Sequence, residues 1–466
     1  MGGSAGTRAE PAGLLAMDPL PAIIRLAAPT TLVMAISAIS NVVYTYFVSQ
    51  LGVDAIAAVS LVFPVSLLAI TAMGGGIGAG ASSAVARALG AARPRDAAAL
   101  SGQALLLSIV IGVTFGLAVL VGAPWLFGLL GASGPILDQA TLFARVLFGG
   151  AAITFLGGMF DSVMRGEGNV RVPAIWSSTS LALQMLVTPI FMFKFGWGLV
   201  GGALAMLACQ LVATIPRAWY VLGGRSHVRP ELWPRSLAPV REILRVGVPA
   251  ALSTSISNIG LMVLTGVVAR LGAPDLAAYG LCTRLDFLLL SFAYGFGAAV
   301  LTLVGMASGA RRHDLVRAFV LRAGAITCVI LAVAGGILCW RPSLWIGLFS
   351  QDPGIHAVGT QYFHIIGPSY PFLGVSMVLA FAFQGLGRAS VPMVWMGFRV
   401  LGVLVSALVC TRVLGLAESA VFTCVALGNV VSAAGMLVLF LRTERGLLAP
   451  VPVVVDVAQA SATTSR

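Results

Sequence analysis

Residues 25–58, RLAAPTTLVMAISAISNVVYTYFVSQLGVDAIAA, align without a gap onto residues 245–278, RVGVPAALSTSISNIGLMVLTGVVARLGAPDLAA. Arg25, Pro29, Leu51, Gly52, Ala57 and Ala58 meet Arg245, Pro249, Leu271, Gly272, Ala277 and Ala278 at one constant offset. Further along, Gly76, Gly78, Gly90 and Ala91 meet Gly295, Gly297, Gly309 and Ala310 at an offset shorter by one. Gly166 and Gly168 with Pro173 meet Gly385 and Gly387 with Pro392 at that same second offset. The chain therefore reads as a duplicated unit.

Composition says what is duplicated. Of the 466 residues 59% are hydrophobic and 9% charged, and the 55 glycines raise the apolar share to about 71%, against roughly 45–50% in soluble domains. The mean hydropathy is +1.00. Apolar runs at 20–48, 55–85, 98–122, 138–163, 171–193, 198–222, 244–270, 276–305, 317–340, 357–384, 390–412 and 418–441 are each long enough to cross a bilayer as a helix. A transmembrane barrel would alternate apolar and polar residues over about 10 positions, which these continuous runs do not do. The expected fold is all-α and polytopic, with twelve transmembrane helices in two six-helix lobes. Six spans return the chain to its starting side, so both lobes share one orientation about a pseudo-twofold axis along the membrane normal. The natural ligand site is the cavity between them. Expected boundaries are a tail at 1–17, lobes at 18–222 and 243–444, a cytoplasmic linker at 223–242 (GGRSHVRPELWPRSLAPVRE) and a tail at 445–466. The stretch 1–17 lacks the apolar core of a secretory signal, so the first span should stay uncleaved.

The net charge of +12 fits basic loops better than a nucleic-acid partner. With the N-terminus inside, twenty arginines, Arg217 among them, fall on the cytoplasmic side, against Lys194, Arg270, Arg341 and Arg412 outside. Both termini are thus expected in the cytoplasm, with the chain in the plasma (inner) membrane. Six isolated cysteines in apolar surroundings read as core residues. The string GGGIGAG at 74–80 lacks the phosphate-loop lysine and reads as close helix packing or a bend. Neither HExxH nor GxSxG occurs, so no enzyme activity, metal or cofactor is expected.

The paired Pro…LG…AA blocks, the two G-x-G-x4-P blocks, and the segments RLDFLLLSFAYGFGAAVLTLVGMASGARR and IIGPSYPFLGVSMVLAFAFQGLGRASVP resemble the multidrug and toxic compound extrusion (MATE) family over residues 18–444. The resemblance implies a twelve-helix secondary antiporter that expels amphipathic organic cations in exchange for protons or sodium. Many members carry an Asp in the first helix where this chain has Tyr44. Where several have an N-x-x-x-D-P pattern in the fifth helix, it has Gln184 and Thr188 before Pro189, and Ser257 replaces a seventh-helix Glu.

Ionisable groups at membrane depth are costly and so mark function. Asp286, two positions after Arg284, is the first candidate for ion coupling, and Asp161 the second. Asp161 precedes Arg165 by four positions, the spacing of an ion pair along one helix. Arg145 and Arg399 need acidic or carbonyl partners, and Asp286 could serve either. Glu167 is expected to be a loop contact, and His356 and His364 exposed loop residues. Asn41, Tyr44, Gln184, Ser257, Asn258, Tyr294, Gln361 and Tyr370 supply the hydrogen-bonding and aromatic walls that a flat cation needs. Expected partners are small amphipathic substrates, H+ or Na+ and membrane lipid, with the protein a monomer. The arginine excess over in-span acids leaves open a lipid-linked or anionic substrate on the same fold, and the missing family acids leave open an uncoupled protein.

Overall fold

The computed structural model describes residues 11–233, 236–269, 272–412 and 418–448. Arg270, counted above for orientation, lies outside them, as do Arg235 and most of both tails. The spans are α1 (Pro19–Ser49), α2 (Val53–Gly90), α3 (Pro94–Leu129), α4 (Gly134–Gly149 with Ala151–Gly166), α5 (Arg171–Lys194), α6 (Gly198–Leu222), α7 (Ala238–Val268), α8 (Asp275–Gly309), α9 (His313–Trp340), α10 (Pro353–Gly385), α11 (Ser390–Cys410) and α12 (Ser419–Thr443). Among the described residues eleven of these are single helices long and apolar enough to cross a membrane. The twelfth, α4, is bent by 46° at Gly150, where two adjacent glycines make the bend cheap. Helices satisfy every backbone group within the segment, as a lipid environment demands.

The repeat is present in three dimensions. Ala22, Ile23, Leu26 and Ala27 of α1 are buried among Ala299, Val300, Leu303 and Val304 of α8, in the second half of the chain. Reciprocally, Ile243 of α7, the repeat equivalent of Ile23, is buried in the core of the first half. The opposite ends of these helices stay at home: Tyr44 and Val48 pack in the first half, and Leu264, Val267 and Val268 in the second. Each half thus lends one end of its first helix to the other half. The two halves meet at the end of the bundle from which the linker runs, here called the linker end.

The glycine string opens into a π-helical turn at Thr71–Ile77. A Cβ on Gly76 would lie 2.4 Å from the Ala251 Cβ of α7, and one on Gly80 2.5 Å from the Ile243 carbonyl oxygen, so these glycines let α2 and α7 touch.

Candidate functional site

Among the described residues two partly buried carboxylates inside the spans, Asp286 and Asp161, have side-chain partners from other helices, and their surroundings differ. Asp286 of α8 faces α10, where Tyr362 donates a hydrogen bond to Oδ2 at 2.6 Å and Tyr370 donates to Oδ1 at 2.5 Å. The phenols are eight positions apart, and the 3-10 turn Gly367–Ser369 interrupts α10 between them. Both rings are almost fully buried, and Tyr362 packs edge-on against Tyr279 and Phe422. Among the described residues no cation pairs with Asp286. Arg284 points to an exposed face of the same helix, since positions two apart diverge.

Neither arginine proposed as a partner of Asp286 reaches it. Arg145 donates through Nε to the Leu120 carbonyl at 3.0 Å, the carbonyl alternative. Arg399 of α11 donates through Nη2 to Asn429 Oδ1 of α12, whose Nδ2 in turn donates to Ser369 Oγ at 2.9 Å. A chain of hydrogen bonds therefore runs from the Arg399 guanidinium to Ser369, the residue before Tyr370.

Asp161 of α4 corrects the expected pairing with Arg165. Its ion-pair partner is Arg217 of α6, Nε to Oδ1 at 3.0 Å. Ser177 donates to the other carboxylate oxygen at 3.2 Å and accepts from Arg217 Nη2 at 2.8 Å. Arg165 turns back instead to Ser162 Oγ at 3.2 Å. Arg217, counted among the cytoplasmic arginines, lies inside α6 and is 1% exposed. His356 and His364, expected as exposed loop residues, are not in a loop; His364 is exposed and His356 partly buried. Both lie within α10, with ring nitrogens 2.8 Å from the Ser350 carbonyl oxygen and 2.9 Å from that of Cys339.

The proposed cavity walls divide. Tyr44 is buried inside its half against Gly202, and Tyr370 is committed to Asp286. Asn258 of α7 reaches across to Thr71 of α2, donating at 3.3 Å, while Ser257 donates to the Ser253 carbonyl at 3.0 Å. Asn41 is exposed, Gln184 is half-buried, and Tyr294 stands edge-on to Phe381. Gln361 lines a shallow groove of about 400 Å³ with Thr360 and His364. Sequence reasoning does not single out Tyr362, Ser177 or Arg217. For the tyrosine the available signal is its spacing from Tyr370 across Gly367-Pro368-Ser369.

At the linker end Arg87 of α2 joins the halves. It pairs with Glu242 of α7 at 3.0 Å and donates to Ser83 and to the Gly385 carbonyl of α10. Ser83 in turn donates to the Gln384 carbonyl. Thr302 of α8 donates to the Arg165 carbonyl at 3.1 Å. The linker is strapped down as well. Ser226 Oγ donates to Glu167 at 2.6 and 2.5 Å, the His227 N–H donates to Glu167 at 3.2 Å, and Gln103 of α3 holds the Ser236 carbonyl at 2.7 Å.

Two pseudo-symmetric halves of six spans, carrying isolated in-span charges and meeting at one end, have the architecture of a secondary transporter. The family profile described as MatE matches residues 29–190 and again 249–410, once in each half, and the chain belongs to the MatE family of membrane transporters. It is 25% identical over 350 residues to the FAD transporter of Shewanella oneidensis, covering 74% of this chain and 77% of that one. Against the probable multidrug resistance protein NorM of Thermotoga maritima it is 26% identical over 322 residues, 68% and 69% of the two chains. A solved MOP superfamily transporter of Pyrococcus furiosus, described as having a binding pocket of reverse polarity, superposes with a TM-score of 0.88 at 27% identity, over 95% of this chain and 99% of that one.

Proposed function

We propose that the protein is a secondary antiporter that exports small amphipathic organic cations in exchange for protons or sodium, with Asp286 as the coupling group. The observation that carries this reading is the set of partners of Asp286: two phenol hydroxyls and, among the described residues, no cation. A carboxylate held by neutral donors can take up a proton or a cation without stranding a buried partner charge, whereas protonating Asp161 would leave Arg217 unpaired. Similarity to NorM supports the drug-export class. In this reading the protein is a monomer in the inner membrane, both termini and the linker end are cytoplasmic, the two halves are lobes at 18–222 and 243–444, and they rock around the cavity between them.

The experiment is proton release from energised inverted vesicles on adding a panel of organic cations, comparing wild type with Asp286→Asn. Release by wild type and silence of the variant is the expected result. Unchanged transport and pH dependence in Asp286→Asn would remove the assignment.

A second reading, export of an anionic metabolite, draws on Arg399, whose guanidinium meets an amide oxygen and a thioether but no carboxylate among the described residues, and on similarity to the FAD transporter. Including flavin adenine dinucleotide in the panel separates the two.

A further inference from the structure

The seam at the linker end is built on a reciprocal contact. Gly90 ends α2, and its repeat equivalent Gly309 ends α8. A Cβ on Gly90 would lie 2.0 Å from the Met306 carbonyl oxygen, and a Cβ on Gly309 2.1 Å from the Arg87 carbonyl oxygen. Met306 is itself the repeat equivalent of Arg87, so each helix end sets its glycine on a carbonyl in the last turn of the other. The same reciprocity holds one layer in: Gly76 rests on Ala251, and Gly295 on Thr31, whose Oγ1 a Cβ would meet at 2.1 Å. A looser form of it involves the side chains, where a Cβ on Gly387 would lie 3.2 Å from the Arg87 guanidinium carbon and one on Gly168 3.3 Å from the Met306 methyl, though Leu14 Cδ1, at 2.4 Å, is nearer to the latter. A contact that pairs residue i with j and j's equivalent with i's equivalent is an isologous twofold interface, here made within one chain.

Such contacts serve a purpose in lipid. Apolar burial gives helices little reason to associate there, so close backbone approach and hydrogen bonds must hold them. The seam supplies both, because Arg87, whose carbonyl supports Gly309, also sends its side chain to Gly385 and Glu242 of the other half.

We infer that Gly90 and Gly309 are gating residues of transport: the two helix ends cross on them, and this crossing is the seal that closes the linker end. A methyl group at either position collides with backbone, which cannot swing aside as a side chain can, so it acts on the closed state. The open state, with the ends apart, has no such collision, and the equilibrium shifts toward it. The inference rests on the two halves moving against each other, as the transport reading requires, but its test needs no substrate.

The test is the distance between spin labels at Asp96→Cys and Asp314→Cys, two exposed sites just beyond the crossing, in a chain whose six native cysteines are replaced. Gly90→Ala and Gly309→Ala should each raise the ratio of long to short distances by about tenfold. Arg87→Gln, which adds no atoms to the seam, should shift it in the same direction and decides the matter if the alanine variants fail to fold. Gly122→Ala and Gly336→Ala, where a Cβ meets nothing within 4 Å, should leave the distances alone. Gly166→Ala should lower stability without lengthening them, because its obstruction, the Ser82 carbonyl at 2.8 Å, lies in its own half. Wild-type distances in both alanine variants, or in Arg87→Gln where those do not fold, would overturn the inference. So would lengthening by Gly166→Ala equal to that by Gly90→Ala. A transporter silent toward every substrate tested would still report its gate here.

Discussion

Arg217 Nε lies 3.0 Å from Asp161 Oδ1 where α6 packs on α4, the arginine side chain 2% and the aspartate 16% exposed. Removing one member of a buried pair strands the other charge, at about 3–5 kcal/mol, while replacing both by neutral groups is far less costly. Arg217→Gln and Asp161→Asn are therefore each expected to lower stability by about that amount, and the two combined to recover most of it. Thermal unfolding in detergent of the two single variants and the double variant checks this through their coupling energy. Additive losses would mean the pair is not a unit.

Much of the fold was legible because its signals repeat: twelve apolar runs, and glycines at a fixed offset whose contacts prove equally repeated. The Asp161 partner was not legible. Arg217 stands near the end of its apolar run, and an arginine there can snorkel to the surface or turn inward. The choice of inward is made by Asp161 and Ser177, which come from two other helices. Likewise nothing local to Asp286 announces Tyr362 and Tyr370, which reach it only because α10 packs on α8 with a 3-10 break in register.

The phenols around Asp286 give a second prediction. Each donates one hydrogen bond to the carboxylate, and a buried acceptor left unsatisfied costs about 1–3 kcal/mol. Tyr362→Phe and Tyr370→Phe should each lower stability by that order, and the double variant should cut transport by about tenfold or more, since every phenol donor is then gone. Transport assays in vesicles, normalised to folded protein, give the readout. Full transport by the double variant would show that these bonds do not serve coupling.

A third concerns backbone strain at the same seam. Ala92 and Arg311, again equivalent positions of the repeat, both have φ of 55° and close the ends of α2 and α8. Their neighbours Arg93 and Arg312 donate to Ala88 and Ala307 at 2.9 Å, the six-residue closure of a left-handed helix cap. A side chain in this conformation costs about 1 kcal/mol that glycine does not incur. Ala92→Gly and Arg311→Gly should each raise stability, less the entropy glycine adds to the unfolded chain. Unfolding midpoints are the measure, and a fall in both would contradict it.

Glu167, in the turn between α4 and α5, carries the pH prediction. Burial raises its carboxyl from the ordinary 4.5 to about 7, against the lowering effect of the Ser226 hydroxyl and the backbone N–H groups of His227 and Val228. Because the folded value lies above the unfolded one, the native state binds more protons than the unfolded state between these pH values. Stability from this group is thus fully present below about pH 4.5 and is lost as pH rises through about 7. At about 1.36 kcal/mol per pH unit the total is of order 3 kcal/mol. The group that benefits is the strap between linker and first half, so loss should begin there. Hydrogen exchange at the His227 amide, which donates to this carboxylate, should be slower at pH 5 than at pH 8 after correction for intrinsic rates. In Glu167→Gln, which cannot ionise, the difference should vanish. Equal protection in wild type at both pH values would show that the strap does not sense this proton.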